Sequence, residues 1–198
     1  MNSAAIILAS GSAARQKMLR DAQVDFTAQP ADIDEAALQN SMKDHAPQDI
    51  ALALAQAKAQ HIAQQSKEAL VIGSDQILEM DGVLFSKAAT SDDARDKLHR
   101  LRGKTHRLIS AVAVARGGQI LWSHSAQAHL TMHNFDDAFL QEYLKKAGNV
   151  LTSCVGAYAL EELGPWLFEK IDGDYHTILG MPLAPLLHYL KTNHQVNL

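Results

Sequence analysis

The chain has 198 residues, of which 47% are hydrophobic and 20% charged, with a formal net charge of −4 at pH 7 and one cysteine. This length allows a single domain with a sizeable core, and the lack of excess basic charge disfavours a stable nucleic-acid partner. A lone cysteine excludes an internal disulfide, and no stretch approaches the roughly 20 apolar residues of a membrane span. We therefore expect one domain over residues 1–198, cytoplasmic and without membrane association.

The first half of the chain alternates buried strands with helices. An apolar run over residues 5–9 predicts a strand, which Ser10-Gly11-Ser12 ends in a turn that can cap a helix over residues 13–22. The other elements predicted in this half are a strand over 24–29, an acidic loop over 30–35, a helix over 49–65 preceded by Pro47, and a second buried strand over 69–73. Ser74-Asp75-Gln76 would follow the carboxyl end of that strand, before a hairpin turn over 79–83.

The second half mixes hairpin strands with helices. Its predicted elements are a helix over 91–101 with Ser91 as N-cap, two β-rich runs over 105–116 and 119–131 joined by Gly117-Gly118, a helix over 136–146 ended by Gly148, strands over 153–158 and 167–171, and a helix over 183–191. We find no repeat, no low-complexity segment and no linker. The order predicts an α/β fold with a mixed β-sheet and flanking helices.

The turn after the first strand is a candidate phosphate site. Amides of the first helical turn after Ser10-Gly11-Ser12 would point above the sheet edge, where phosphate binds readily. Arg15, one turn into the helix, could add a guanidinium suited to phosphate oxygens. The alternative is an ordinary strand-to-helix turn with a solvated arginine.

Acidic residues follow the second strand and Pro30. Asp75 would lie where sites cluster in open α/β sheets, with Gly73 allowing close backbone approach, although an aspartate there can also cap a turn. The acidic loop is either solvated or a source of oxygen ligands for a hard cation; its members are Asp32, Asp34 and Glu35. Lys58 and Lys87 could neutralise a triphosphate or simply lie at the surface.

Eight short motifs follow one another along nearly the whole chain. They are Leu8-Ala9-Ser10-Gly11-Ser12-Ala13-Ala14-Arg15, Ile33-Asp34-Glu35, Val71-Ile72-Gly73-Ser74-Asp75-Gln76, Ser86-Lys87, Leu101-Arg102-Gly103-Lys104-Thr105-His106, Val155-Gly156-Ala157-Tyr158, Gly173-Asp174-Tyr175 and Gly180-Met181-Pro182-Leu183. Each string is ordinary alone, but their joint order and spacing resemble the Maf family of nucleotide pyrophosphatases.

The resemblance implies a Maf/ITPase-like fold with two lobes around a central cleft, a divalent cation (Mg²⁺ or Mn²⁺), and often a homodimer. It implies hydrolysis of a nucleoside triphosphate to the monophosphate and pyrophosphate, as in the removal of non-standard or modified nucleotides. The implied roles are catalysis for Asp75, metal binding for Glu35 and Asp75, phosphate binding for Ser10, Ser12 and Arg15, and added positive charge for Lys58 and Lys87. The chain departs from the family where Ala13 and Ala88 replace prolines, which concerns loop stiffness more than chemistry.

Three further positions concern recognition of the nucleobase of the substrate. Gln76 and Glu161 resemble the family branch that acts on 7-methylguanosine triphosphate, and a carboxylate can accept both N–H donors of guanine's Watson–Crick edge. Ala14 stands where that branch tends to carry an aromatic residue, so a cation–π contact is missing there. We expect guanine-type triphosphates to be preferred over pyrimidine ones, with modest selectivity for the methylated form.

Two other function classes fit parts of the sequence. A nucleotide-binding regulator of cell division, in the sense of septum inhibition, would bind without significant turnover; the acidic residues beside a polyanion favour catalysis over it. A dinucleotide-dependent oxidoreductase lacks the full glycine fingerprint after the first strand.

Overall fold

The computed structural model describes residues 4–193, which its contacts divide into two compact units. Unit 1 contains the described residues up to Gln76, then Ile109–Ala126, and the described residues from Tyr175 onward. Unit 2 contains Ile77–Leu108 and Gln127–Asp174. The expectation of a single domain over residues 1–198 stays a prediction.

Helices and strands alternate along the described chain. The strands are β1 (Ile6–Leu8), β2 (Thr27–Ala28), β3 (Leu70–Met80), β4 (Val83–Phe85), β5 (Thr105–Arg116), β6 (Gln119–Met132) and β7 (Phe168–Asp172). The helices are α1 (Ala13–Asp21), α2 (Glu35–Ser41), α3 (Pro47–Gln65), α4 (Ser91–Leu101), α5 (Asp137–Ala147), α6 (Val150–Ser153), α7 (Tyr175–Ile178) and α8 (Leu183–Thr192). A 3-10 turn, Gly164–Leu167, precedes β7. No helix within residues 4–193 has the length and apolarity needed to cross a bilayer.

The strands pair in the order β2-β1-β3-β5-β6-β7, with β4 pairing separately with β3. β1 is parallel to both β2 and β3, so that Ile7 lies opposite Thr27 and Val71. β4 is antiparallel to β3, and β7 is antiparallel to β6. The prediction of an α/β fold with a mixed sheet and flanking helices is therefore confirmed.

The core of unit 1 is formed by the apolar faces of β1, β3, β5, α1 and α8. Its fully buried members include Leu8, Leu19, Ile72, Val112 and Leu186. Burial of each such side chain stabilises the fold by about 1.5–3 kcal/mol relative to exposure. This core fixes the strand and helix that carry the polar residues described below.

Several predicted elements have different limits. The strand predicted over 24–29 is reduced to Thr27–Ala28, and the predicted acidic loop ends where α2 begins, with the Asp34 side chain accepting a hydrogen bond from the Ala37 amide. The N-cap of α4 is Thr90 rather than Ser91, because Thr90 and Asp93 form a reciprocal capping box.

The strand predicted over 153–158 is wrong. Residues 150–153 form α6, and Ala157 has a φ of 59°, which an extended strand does not allow. Backbone carbonyls in this segment bind side chains instead of a neighbouring strand: Tyr143 donates to Ala157, and Lys97 donates to Val155.

The buried strand predicted over 69–73 is the longer β3, so Asp75 lies inside a strand and does not follow its end. All of β3 is buried except for the partly exposed Gln76. Polar side chains can be buried in this strand because each forms a hydrogen bond or an ion pair on its own face of the sheet.

Candidate active site

Asp75 is held against α3 by close packing between β3 and that helix. A Cβ atom on Gly73 would lie 2.2 Å from the Ala55 carbonyl oxygen and 2.6 Å from the Ala59 nitrogen, so only glycine allows this approach. Side chains two residues apart in a strand share a face, which places Asp75 on the side of α3. The expectation that Gly73 permits close backbone approach is confirmed.

Lys58 of α3 bridges two carboxylates. Its Nζ atom lies 2.6 Å from Asp75 Oδ1 and 2.9 Å from Glu35 Oε1. The Lys58 and Asp75 side chains are buried, with 10% and 8% of their surfaces exposed, whereas Glu35 is 48% exposed. At this distance the attraction between the two charges offsets the cost of removing them from water. Loss of one partner would leave the other as an uncompensated buried charge.

Burial raises the pKa of the Asp75 carboxyl, while the positive charges of Lys58 and Arg15 oppose that shift. Burial also lowers the pKa of the Arg15 guanidinium, and Asp75 and Glu35 oppose that effect. These mutual influences place Arg15, Glu35, Lys58 and Asp75 within one electrostatic neighbourhood of unit 1, which we call the charged cluster.

Arg15 is oriented by hydrogen bonds from opposite ends of the chain. Its Nε atom donates to the Gly180 carbonyl at 2.9 Å, and its Nη1 atom donates to Ser10 Oγ at 3.3 Å. Gly180 has a φ of 109°, a conformation that favours glycine, and a Cβ atom there would lie 3.4 Å from the Arg15 nitrogens. Gly180 thus both accepts from Arg15 and leaves room for its guanidinium.

The serine hydroxyls of the turn before α1 accept hydrogen bonds from nearby backbone amides. Ser10 Oγ accepts from the Ser12 amide, and Ser12 is the N-cap of α1, accepting from the Arg15 amide. The predicted cap is confirmed. Ala14 lies half-buried on the first turn of α1.

The other face of β3 holds the segment that contains Gly180. Ser74 Oγ lies 2.8 Å from the Ala111 carbonyl and 3.0 Å from the Gly180 carbonyl. Gln76 Nε2 lies 3.1 Å from the Thr177 carbonyl and 2.9 Å from the Ile178 carbonyl. Alternate residues of one strand therefore contact Lys58 on one side and the residue 177–180 segment on the other.

Glu35 and Asp75 are the residues of the charged cluster that could hold a divalent cation. Both place an oxygen against the single Lys58 ammonium, so the two carboxylates converge on one positive charge. No group of three or more His, Cys, Asp or Glu side chains suited to a metal occurs in the described part of the chain. Two carboxylates suffice for Mg²⁺, which usually completes its coordination with water and substrate phosphates.

The profile of the family described as Maf-like protein matches residues 5–193. The chain belongs to the Maf family. Relatives named nucleoside triphosphate pyrophosphatase in Maricaulis maris and Paramagnetospirillum magneticum are 44% and 45% identical to it, over 93% and 96% of this chain and 94% and 99% of theirs. A relative named 7-methyl-GTP pyrophosphatase in Mesorhizobium japonicum is 46% identical over 94% of this chain and 95% of its own.

A solved structure of a HAM1 protein from Coxiella burnetii aligns with a TM-score of 0.40 and 13% identity, over 67% of this chain and 74% of that one.

Eight of the ten candidate site residues lie in unit 1, and the other two lie in unit 2. Lys87 and Glu161 are both exposed there. Burial raises the pKa of the Cys154 thiol, and among the weaker influences Glu161 raises it while Lys87 lowers it. Lys87 and Glu161 therefore lie near the same cysteine of unit 2.

Sequence reasoning missed the residues that support the charged cluster. Gly180 belongs to a string on which the resemblance rests, yet its contact with Arg15 spans 165 positions of sequence and leaves no local pattern. The contacts of Ser74 and Ser110 with the residue 177–180 segment were also missed, because a serine inside a strand does not reveal that its hydroxyl binds a distant carbonyl.

Proposed function

We propose that this Maf family member is a nucleoside triphosphate pyrophosphatase that converts its substrate to the monophosphate and pyrophosphate. The charged cluster carries this proposal, because it combines a buried aspartate with two cationic side chains and a second carboxylate. The names of relatives that match over nearly their whole length support the same reaction. Removal of non-standard or modified nucleotides in the cytoplasm is the role we infer.

The charged cluster alone does not neutralise the negative charge of a triphosphate. Arg15 and Lys58 bring two positive charges, and Glu35 and Asp75 bring two negative ones, so a bound polyanion requires further positive charge. Asp75 and Glu35 would hold Mg²⁺ or Mn²⁺, which when bound supplies Lewis-acid stabilisation of phosphate oxygens and a water of lowered pKa. Lys87 is the residue that we propose as a source of further positive charge.

The protein's own groups would act as follows. Arg15 binds phosphate oxygens and stabilises negative charge that develops on the leaving pyrophosphate. Asp75 accepts the proton of the attacking water; burial raises the pKa of its carboxyl, and Lys58 and Arg15 oppose that shift. The oxygen–phosphorus bond forms at the α-phosphorus, the α–β bridging bond breaks, and its electron pair leaves with pyrophosphate. Lys58 opposes the effect of burial on the Asp75 pKa and so favours the ionised carboxylate.

Glu161 is our proposed reader of the base. Its exposed carboxylate can accept from both N–H donors of guanine, whereas uracil presents one donor between two acceptors that a carboxylate repels. Guanosine and 7-methylguanosine triphosphates are therefore the proposed preferred substrates, as the name of the Mesorhizobium japonicum relative suggests. Gln76 contributes less directly, since its amide nitrogen binds backbone carbonyls.

Hydrolysis in ¹⁸O-labelled water tests the reaction. Purified protein with Mg²⁺ should produce monophosphate and pyrophosphate, with the label in the monophosphate because water attacks the α-phosphorus. EDTA should abolish turnover, and excess Mg²⁺ should restore it. Diphosphate and orthophosphate as products, or label in pyrophosphate, would contradict the proposed attack. Nucleotide binding without any pyrophosphate release would instead indicate a regulator.

Sedimentation velocity would test the predicted homodimer.

A further inference from the structure

A buried lysine of unit 2 remains without a role in this scheme. Lys97 lies on α4 and is 7% exposed, on the same side of the helix as the buried Ala94 and Leu101. Lysine is among the residues least often buried, because its ammonium must find partners when water is removed. Its contacts therefore need an explanation.

The partners of Lys97 are two backbone carbonyls from separate loops. Nζ donates to Ser86, immediately before Lys87, and to Val155 at 2.8 Å. Burial lowers the pKa of Lys97 to about 8, so at pH 7 it is mostly protonated and keeps three N–H donors. One side chain thus joins the loop that carries Lys87 to the segment that leads to Glu161.

The Val155 segment is held at a second point, because Tyr143 donates to the Ala157 carbonyl, whereas the residues after Lys87 are alanines. Ala88 and Ala89 follow Lys87, and alanine does not restrict the backbone as proline does. Val155 lies between α6 and Ala157, whose φ is 59°, in a stretch that the structure assigns to neither helix nor strand. A charged hydrogen bond to each carbonyl would fix both loops more firmly than a neutral one.

We propose that Lys97 is a positioning residue that holds the Lys87 loop and the Glu161 segment in the arrangement that binds substrate. This inference rests on the proposed function, since Lys87 and Glu161 receive their roles there. Lys97 itself contacts backbone and would touch neither phosphate nor base. Its removal should weaken substrate binding and base selection more than the chemical step, because the proposed function assigns Lys87 and Glu161 to binding and not to that step.

Lys97→Met, which keeps the length of the side chain and removes its donors, tests this inference. We expect KM for GTP to rise about tenfold, the scale expected when a charged hydrogen bond is lost, with kcat changed far less. The ratio of kcat/KM for GTP to that for UTP should fall. Lys97→Arg should recover part of both losses, because its guanidinium can still donate to two carbonyls.

Two controls separate positioning from general stability. Lys145→Met removes an exposed lysine of α5, which pairs with Glu142, and should leave KM unchanged. Leu130→Ala truncates a fully buried side chain of unit 2 and should lower Tm without changing base selection. Equal changes of KM and selectivity in Leu130→Ala would overturn the inference, because the effect would then follow stability alone.

Cys154 gives a readout that does not depend on turnover. It is the only cysteine, it is half-buried, and it precedes Val155 directly, so release of the Val155 carbonyl should speed its reaction with a thiol reagent. We expect labelling about fivefold faster in Lys97→Met than in the wild type, as local opening becomes easier. Wild-type labelling and wild-type KM in folded Lys97→Met would overturn the inference.

The two hypotheses fail in different ways. If the wild-type protein releases no pyrophosphate, the proposed function fails, and the labelling rates still show whether Lys97 holds the segment. If Lys97→Met does not fold, Lys97→Arg and Lys97→Gln provide the same comparison. Turnover in the wild type together with unchanged kinetics in all three variants would contradict the positioning role directly.

Discussion

Asp75 is the residue on which the proposed chemistry depends most. Asp75→Asn keeps the shape of the side chain but removes its negative charge, so we expect turnover to fall by roughly a hundredfold or more. Far-ultraviolet circular dichroism and Tm should show a folded protein, and pyrophosphate release measures the activity. Asp81→Asn is a matched control, because Asp81 is an exposed residue in the adjacent turn with a φ of 54°, which asparagine tolerates. Near-native turnover in Asp75→Asn would return Asp75 to a structural role.

The ionisation of Asp75 predicts a dependence on pH. Because burial raises its pKa, the ionised fraction falls as pH decreases through a value above the ordinary one for aspartate, and kcat/KM should fall with it. Lys58 lowers that pKa, so Lys58→Gln should move the acidic limb of the profile to higher pH, whatever its effect on the maximal rate. Lys145→Met should leave the limb in place. A limb that stays fixed or moves to lower pH in Lys58→Gln would show that another group titrates.

Base selection can be tested at Glu161. Glu161→Gln replaces one acceptor oxygen with a donor, so we expect the preference for GTP over UTP to weaken by about tenfold, as when one polar contact with the base is lost. Competition assays with GTP, 7-methyl-GTP, UTP and dTTP measure the ratio. Glu162→Gln is the matched control, since Glu162 is the neighbouring exposed carboxylate. Faster turnover of UTP or dTTP than of GTP, unchanged in Glu161→Gln, would contradict this assignment.

Among the elements, the contact between β3 and α3 fixes the distance between Asp75 and Lys58. Gly73→Ala would place a methyl group 2.2 Å from the Ala55 carbonyl oxygen, so the helix or strand must move. We expect a loss of stability of about 1–3 kcal/mol or more, measured by urea denaturation, together with lower turnover. Gly11→Ala meets Pro30 only at 3.4 Å and should keep nearly wild-type stability. Equal stabilities in the two variants would show that the packing is looser than described.

Helices and strands with strong local signals could be predicted from the sequence, whereas elements that depend on distant partners could not. The helix over 91–101, the strand over 105–116 and the turn at Gly117-Gly118 are confirmed, because residue periodicity and glycine are signals in the local sequence. The segment over 153–158 looked like a strand because it is apolar, but Lys97 and Tyr143 bind its carbonyls. Those contacts come from helices that no local pattern links to it.

At the scale of the whole molecule, nucleotide and metal should bind as one system. We expect a non-hydrolysable GTP analogue with Mg²⁺, at about 100 times its Kd, to stabilise the protein by about 2.7 kcal/mol, or roughly 5–10 °C in Tm for a chain of this size. With EDTA in place of Mg²⁺, or with Mg²⁺ alone, the shift should be much smaller. An equally large increase of Tm in EDTA would show that the nucleotide binds without a cation and would contradict the proposed metal site.

The candidate site could be predicted in part because the resemblance orders its residues along the chain. Arg15, Glu35, Lys58 and Asp75 come together in unit 1, although their roles stay predictions. What the sequence could not reveal is the support beneath them. The bonds from Ser74 and Arg15 to the Gly180 carbonyl join residues that only the fold brings into contact.

The alternation along β3 also limits how this protein can change length. Ser74, Asp75 and Gln76 point to alternate faces, so insertion or deletion of one residue earlier in the strand would exchange those faces. Asp75 would then meet the backbone carbonyls of residues 177–180, and Lys58 would meet a serine or an amide. Viable length variants of this strand should therefore differ by an even number of residues, or place the change in a turn, so that the parity of the strand is preserved.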